Sequence, residues 1–148
     1  MSPTPCNGDD AMGRVCVEIL VSNNRDLALL EAGHLLPHQV RRFQLPAVVD
    51  TAAALLVLPA DVADRLGLPK AGHAVVRYAD RRPGTRRVVE EARVELLGRQ
   101  GTFRALVEPD RTTALIGAIV LEDLDLLVDC QQQRLIPRDP SGPIYEIE

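Results

Sequence analysis

Short β-prone segments separated by turn signals recur along the whole chain. The first, "RVCVEILVS", alternates apolar and polar residues, which is typical of a strand with one buried face. Pairs such as Asn-Asn and Pro-Gly separate such segments and mark turns. The segments with strand patterns cover residues 14–22, 43–50, 55–59, 73–80, 85–97, 102–109 and 134–137. This succession predicts a mostly β domain.

A different pattern predicts two short helices. Residues 58–68 carry Pro59 where a first helical turn accepts it and Gly67 where a helix usually ends. Residues 113–129 indicate a strand, Gly117, a short helix and a further strand. The sequence therefore places helices only between strands.

Length and charge limit the domain organisation and the partners. We expect a flexible arm at 1–13, one domain at 14–138, and a tail or terminal strand at 139–148. Residues 23–42 permit either a helical turn or an extended excursion. The net charge of −4 argues against a nucleic-acid partner, and no apolar run approaches the ~20 residues that cross a bilayer. The N-terminus lacks the features of a secretory signal, so we expect a cytoplasmic protein without membrane contact.

The cysteines and histidines do not form a pattern for a metal. Cys6, Cys16 and Cys130 are widely spaced, and an odd, scattered count suits free thiols in a reducing compartment. The three histidines have no acidic or thiol partner at ligand spacing. We therefore expect neither a metal nor another cofactor.

An acidic residue interrupts the most apolar segment, "AVVDTAAALLVLP" at residues 47–59. An ionised carboxylate is costly to bury unless it is paired or hydrogen-bonded. One interpretation is a turn, because Asp50 and Thr51 side chains can both bond nearby backbone N–H groups. The other is a functional carboxylate held in an apolar site. The pair alone does not distinguish the two.

Motifs farther along the chain favour the functional interpretation. In order, the chain carries "DTAA" at 50–53, an apolar strand, "VADRLGL" at 62–68, "ALIG" at 114–117 and "RLIP" at 134–137. This ordered set resembles the retropepsin-like aspartic peptidases, in particular their small bacterial members. The resemblance covers residues 14–137. It implies a retropepsin-like closed β-barrel half with one or two short helices, acting as a homodimer.

The resemblance also assigns roles to particular residues. It implies that Asp50 is the catalytic carboxylate and that Thr51 bonds across the dimer. Supporting residues of the catalytic loop would be Thr51, Ala52, Ala53, Leu115, Ile116 and Gly117. A β-hairpin flap covering a peptide or protein substrate would include Tyr78, Ala79, Asp80, Arg81, Arg82, Pro83 and Gly84.

A count of the acidic residues supports the homodimer. The chemistry needs two facing aspartates, each followed by Thr or Ser, and of the twelve Asp residues only Asp50 is followed by either. A second copy must then supply the other carboxylate. Two carboxylates a few Å apart hold one shared proton, so one acts as base towards water and the other as acid. The function expected is that of an aspartic endopeptidase.

Two departures from the family pattern leave an alternative open. Ala52 stands where the family has Gly, and activity then depends on whether the φ angle there is negative or positive. The flap region carries Arg81, Arg82, Arg86 and Arg87, which favour a solvated hairpin over attraction of acidic peptides. The alternative function is a catalytically inactive dimer that binds peptides or serves as an interaction module.

Overall fold

The computed structural model describes residues 14–148, and the arm expected at 1–13 lies outside them. The strands are β1 Val15–Asn23, β2 Arg42–Val49, β3 Leu56–Pro59, β4 Lys70–Arg77, β5 Pro83–Leu96, β6 Arg99–Glu108, β7 Ala114–Ile116, β8 Leu126–Asp129 and β9 Arg134–Pro137. The helices are α1 Asn24–Glu31, α2 Ala60–Arg65 and α3 Ala118–Leu124, with a 3-10 turn at Pro37–Gln39. The mostly β fold is confirmed.

Six strands form a closed barrel. They lie in the order β1-β2-β7-β3-β6-β5, and β5 also pairs with β1, which closes the sheet. Strand β4 pairs only with β5 and so extends outside the barrel as one arm of a hairpin, and β8 and β9 form a separate two-stranded sheet. Closure removes the sheet edges from the barrel and leaves the β4–β5 hairpin as a projecting element.

Strand β2 shows how a proline is accommodated in this barrel. Pro46 pairs with Glu18 of β1, whereas the parallel ladder with β7 begins only at Ala47. The proline therefore needs no N–H donor on the β7 side. Because β2 is paired on both sides from Ala47 onward, its end is fixed at the residue before Asp50.

The core consists of branched aliphatic side chains from the barrel and its helices. Val21, Leu58, Val89, Ala105 and Ile116 are fully buried at the barrel centre. Helix α2 contributes Val62 and Ala63, and helix α3 contributes Val120, Leu121 and Leu124. The apolar residues that alternate along the strands are thus the ones that fill the interior.

The segment 23–42, for which the sequence left two paths open, contains helix α1. Asn23 caps the helix by accepting a hydrogen bond from the Asp26 N–H at 3.0 Å. The buried Asp26 carboxylate accepts from the backbone N–H of Arg41 at 3.0 Å and from its Nε and Nη2 at 2.9 and 3.0 Å. This ion pair joins the beginning of the segment to its end.

Asp26→Asn is expected to lower the free energy of unfolding by about 2 kcal/mol, because it removes charge-assisted hydrogen bonds. The Arg41 side chain holds the pKa of Asp26 below its ordinary value, against the effect of burial. The stabilisation is therefore present above the unfolded-state pKa of about 3.9 and is lost as pH falls through the folded-state value. Urea unfolding at several pH values measures this, and an acid dependence unchanged by the substitution would contradict it.

Three further features bear on the sequence predictions. Cys130 is free and exposed, but Cys16 is disulfide-bonded, so the expectation of a free thiol is wrong for Cys16. Cys6 lies outside the described residues.

Residues 144–148 are not in a strand. The Asp125 carboxylate accepts hydrogen bonds from Arg138 and from the backbone N–H of Ile144. Among residues 14–148, no helix has the length and apolar character needed to traverse a bilayer.

Candidate active site

The loop between β2 and β3 holds the Asp50 carboxylate in a defined position. The Asp50 N–H donates to the carbonyl of Ile116 at 3.0 Å, and its own carbonyl accepts from the Ala53 N–H at 3.1 Å. The Ala52 N–H donates to the Asp50 side-chain oxygen Oδ1 at 3.0 Å. Asp50 is half-buried. Three backbone hydrogen bonds therefore fix both the main chain and the side chain of this residue.

The backbone of Ala52 does not adopt the left-handed conformation that favours glycine. Among residues 14–148, the non-glycine residues with positive φ are Arg81, Glu91, Leu97, Asp125 and Gln133, and Ala52 is not among them. Its side chain is exposed and its N–H serves the carboxylate. The methyl group at this position therefore imposes no left-handed strain on the loop.

Gly117 lies directly against the carbonyl groups of the same loop. A Cβ built on Gly117 would lie 2.7 Å from the carbonyl oxygens of Ala53 and Leu55 and 2.8 Å from that of Ala54. Its φ is −92°, so space rather than conformation requires glycine here. Leu115 and Ile116 belong to β7, which lies between β2 and β3 in the sheet. The predicted Leu115-Ile116-Gly117 element is thus in contact with the Asp50 loop.

The first turn of α3 completes this contact. The Ala118 N–H donates to the carbonyl of Ala53 at 2.8 Å, and the Ile119 N–H donates to that of Ala54 at 3.1 Å. Helix N-termini leave their first N–H groups without intrahelical partners, and here the loop carbonyls satisfy two of them. The loop that carries Asp50 is consequently held by β7 and α3 together.

Thr51 lies at the outer side of the loop. Thr51 is exposed, and its side chain makes no hydrogen bond within residues 14–148.

A cleft of about 520 Å³ opens between this loop and the β4–β5 hairpin. Its apolar wall includes Ala53, Val57, Val75, Leu106 and Leu115. The polar residues lining it are Asp50, Arg77, Tyr78, Arg86, Glu108 and Arg111. Such a cleft, apolar with a few polar groups, is typical of a ligand-binding site.

The residues predicted as the flap lie at the tip of the β4–β5 hairpin, with residues 78–82 in its turn and Pro83 and Gly84 at the beginning of β5. The Tyr78 N–H donates to the carbonyl of Arg82 at 3.0 Å, and Arg81 has a positive φ of 67°. The Asp80 carboxylate accepts from the Arg82 N–H at 2.9 Å. Of these residues, Tyr78 and Ala79 line the cleft. The turn is therefore well defined, and its beginning faces the Asp50 loop.

The Tyr78 side chain lies near two guanidinium groups and one carboxylate. The guanidinium carbons of Arg82 and Arg86 are 4.8 and 5.5 Å from the ring centroid. Burial raises the pKa of Tyr78, and the nearby Glu108 carboxylate raises it further. Within residues 14–148 the hydroxyl makes no well-formed hydrogen bond. The Tyr78 side chain is thus a part of the hairpin that contacts the charged residues Arg86 and Glu108 of the cleft.

Arg86 differs from the expected solvated arginine, whereas Arg87 forms an exposed ion pair. Arg86 is partly buried and forms an ion pair with Glu108, at 2.5 Å, and Arg87 pairs with Asp64 at 2.9 Å. Arg81 and Arg82 are exposed as expected. The prediction of a solvated hairpin is therefore wrong for Arg86 alone of these four arginines.

Sequence reasoning missed Arg77, Glu108 and Arg111 as residues of the cleft. Glu108 stands two residues after Leu106 on β6 and therefore on the same face of that strand, but only the structure places Leu106 at the cleft. Among residues 14–148, no group of three or more His, Cys, Asp or Glu side chains could hold a metal ion.

Comparison with solved structures identifies the fold. The chain is similar to the EIAV protease solved in complex with the inhibitor HBY-793, with a TM-score of 0.54 and 18% sequence identity over 77% of this chain and 90% of that one. It is also matched to the simian foamy virus (mac) protease, with a TM-score of 0.42 and 14% identity over 53% of this chain and 80% of that one. No protein-family model and no curated protein sequence matches the chain. At these identities the first likeness establishes a retropepsin-like fold alone.

Proposed function

We propose that this chain is an aspartic endopeptidase in which two copies each contribute Asp50 to one catalytic pair. The observation that carries the proposal is the Asp50 carboxylate, fixed by the Ala52 N–H in a loop held against Gly117, at the wall of a cleft. This arrangement occurs on a barrel similar to that of a retroviral protease.

The proposed homodimer is supported by what one chain can supply. Only Asp50 among the aspartates is followed by Thr or Ser, so one chain offers one loop of this type. Thr51 is exposed and makes no hydrogen bond within residues 14–148, as expected of a residue that bonds across a dimer. A C2 axis brings the same patch of both copies together, and it would therefore bring the two Asp50 loops together.

The reaction requires the two carboxylates to hold one proton between them, because both cannot ionise at short distance. The ionised carboxylate takes a proton from a water molecule, and the oxygen of that water attacks the peptide carbonyl carbon. The protonated carboxyl gives its proton to the carbonyl oxygen, which yields a tetrahedral diol. Collapse of the diol breaks the C–N bond: the carboxyl that took the proton of water now gives it to the leaving nitrogen, and the other carboxylate takes a proton from a diol hydroxyl, which becomes the carbonyl of the product acid.

The surrounding residues would act by positioning. Ala52, Ala53 and the Leu115-Ile116-Gly117 element hold the loop, and small displacements of a catalytic group can reduce rates by about a hundredfold. The hairpin that includes Tyr78 to Gly84 would cover the bound peptide and exclude water from the cleft. An extended peptide is the substrate that suits a cleft bordered by the hairpin strand β4.

The test is cleavage of a diverse peptide library, from acid to neutral pH, by the wild-type dimer beside Ala52→Gly. Because Ala52 has no left-handed strain to relieve, we expect both proteins to cleave with rates within about threefold of each other. Size-exclusion chromatography with light scattering establishes that both are dimers before activity is compared. No cleavage by either intact dimer would contradict the proposed function.

A further inference from the structure

Arg77, the last residue of β4, places an unpaired positive charge at the cleft. It lines the cleft and is exposed. Within the part of the chain that the structure describes, its guanidinium donates no hydrogen bond and forms no ion pair. Arg86 on the neighbouring strand is instead paired with Glu108.

The acidic groups of the cleft are already engaged elsewhere. Glu108 is bound to Arg86 and lies beside Tyr78. The Asp50 carboxylate accepts the Ala52 N–H, and in the proposed dimer it shares a proton with its counterpart. Neither carboxylate is therefore left to neutralise Arg77, so the charge faces whatever occupies the cleft.

The side chain beside Arg77 is apolar and open. Val75 stands two residues earlier on β4, hence on the same face of the strand, and it is 79% exposed. Such a pair suits an acidic side chain, whose methylene groups can pack on Val75 while its carboxylate meets the guanidinium. A guanidinium binds a carboxylate with two parallel hydrogen bonds, which gives geometric selectivity as well as attraction.

We propose that Arg77 determines specificity by binding a glutamate or aspartate side chain of the peptide, near the scissile bond. The proposal rests on the proposed peptidase function, because it assumes that a peptide occupies the cleft. A peptide's C-terminal carboxylate has the same chemistry, and amide-capped peptides separate the two sources. Capped peptides should keep the preference.

The test uses acetylated, amide-capped peptides with a neutral fluorophore, in which a single Glu or Gln is moved through each position in turn. Binding to the dimeric Asp50→Asn protein is measured by fluorescence anisotropy. At one position we expect Glu to bind roughly three- to tenfold more tightly than Gln, as for a partly exposed ion pair. In the same background Arg77→Gln should remove this preference, and Arg77→Lys should retain part of it.

The matched control is Arg104→Gln, which removes an exposed arginine of β6 that does not line the cleft. It should leave the preference unchanged. Equal binding of Glu and Gln peptides at every position, or a preference that survives Arg77→Gln, overturns the proposal, as does a preference seen only with uncapped peptides. Wild-type cleavage of the same peptides tests the function separately: binding preference without cleavage contradicts the peptidase, and cleavage without preference contradicts the role of Arg77.

Discussion

Asp50→Asn is expected to reduce peptide cleavage by at least ~10³-fold while the chain stays folded and dimeric. The asparagine amide is neutral and cannot accept a proton from water, so the base of the pair is lost. Its side-chain oxygen can still accept the hydrogen bond that the Ala52 N–H donates to Asp50 in the wild type. The measurement is kcat/KM on a peptide cleaved by the wild type, beside the dimer mass and the unfolding midpoint of both proteins.

The control for this substitution is Asp61→Asn, an exposed aspartate in the first turn of α2. This substitution makes the same change, from a carboxylate to an amide, at a position that does not line the cleft. Its kcat/KM should equal that of the wild type. Cleavage that persists in an intact Asp50→Asn dimer would show that another group performs the chemistry.

Gly117→Ala is expected to lower the free energy of unfolding by about 3 kcal/mol and to reduce kcat/KM by at least ~10²-fold. The new methyl carbon would lie 2.7 to 2.8 Å from three backbone carbonyl oxygens, which cannot rotate away as a side chain can. The loop that carries Asp50 must therefore move. Urea unfolding and steady-state kinetics measure the two effects.

Gly33→Ala separates crowding from the general cost of replacing a glycine. A Cβ at Gly33 meets no atom within 4 Å, and its φ of +83° leaves only the left-handed penalty of about 1 kcal/mol. This variant should cleave peptides at the wild-type rate. A Gly117→Ala protein as stable and as active as Gly33→Ala would contradict the account of the loop.

Local sequence patterns were sufficient to predict most of the barrel strands but not their pairing. The pattern at 14–22 predicts a strand and corresponds to β1 of the barrel, because alternation and flanking turn residues are local signals. That β5 pairs with β1 and closes the barrel depends on contacts between residues far apart in the chain. The sequence does not distinguish helix α1 from an extended segment, because residues 23–42 fit a helical turn and an extended path about equally.

Part of the candidate site is likewise predictable from the sequence, and part of it is not. The family resemblance implies that Leu115-Ile116-Gly117 supports the Asp50 loop, and in the structure the Asp50 N–H donates a hydrogen bond to the Ile116 carbonyl. The sequence could not give the φ angle of Ala52, which depends on how the loop is held. The Arg86–Glu108 pair was missed because its members are 22 residues apart and a charge pattern does not specify its partner.

The activity of mixed dimers tests most directly whether both copies contribute Asp50 to one active site. Wild-type and Asp50→Asn chains are mixed at constant total concentration, allowed to exchange subunits, and assayed as the wild-type fraction is varied. If each active site needs Asp50 from both copies, activity falls with the square of that fraction, to about one quarter in an equal mixture. Activity that falls in direct proportion to the fraction would mean that each chain holds a complete site, and would contradict the shared pair.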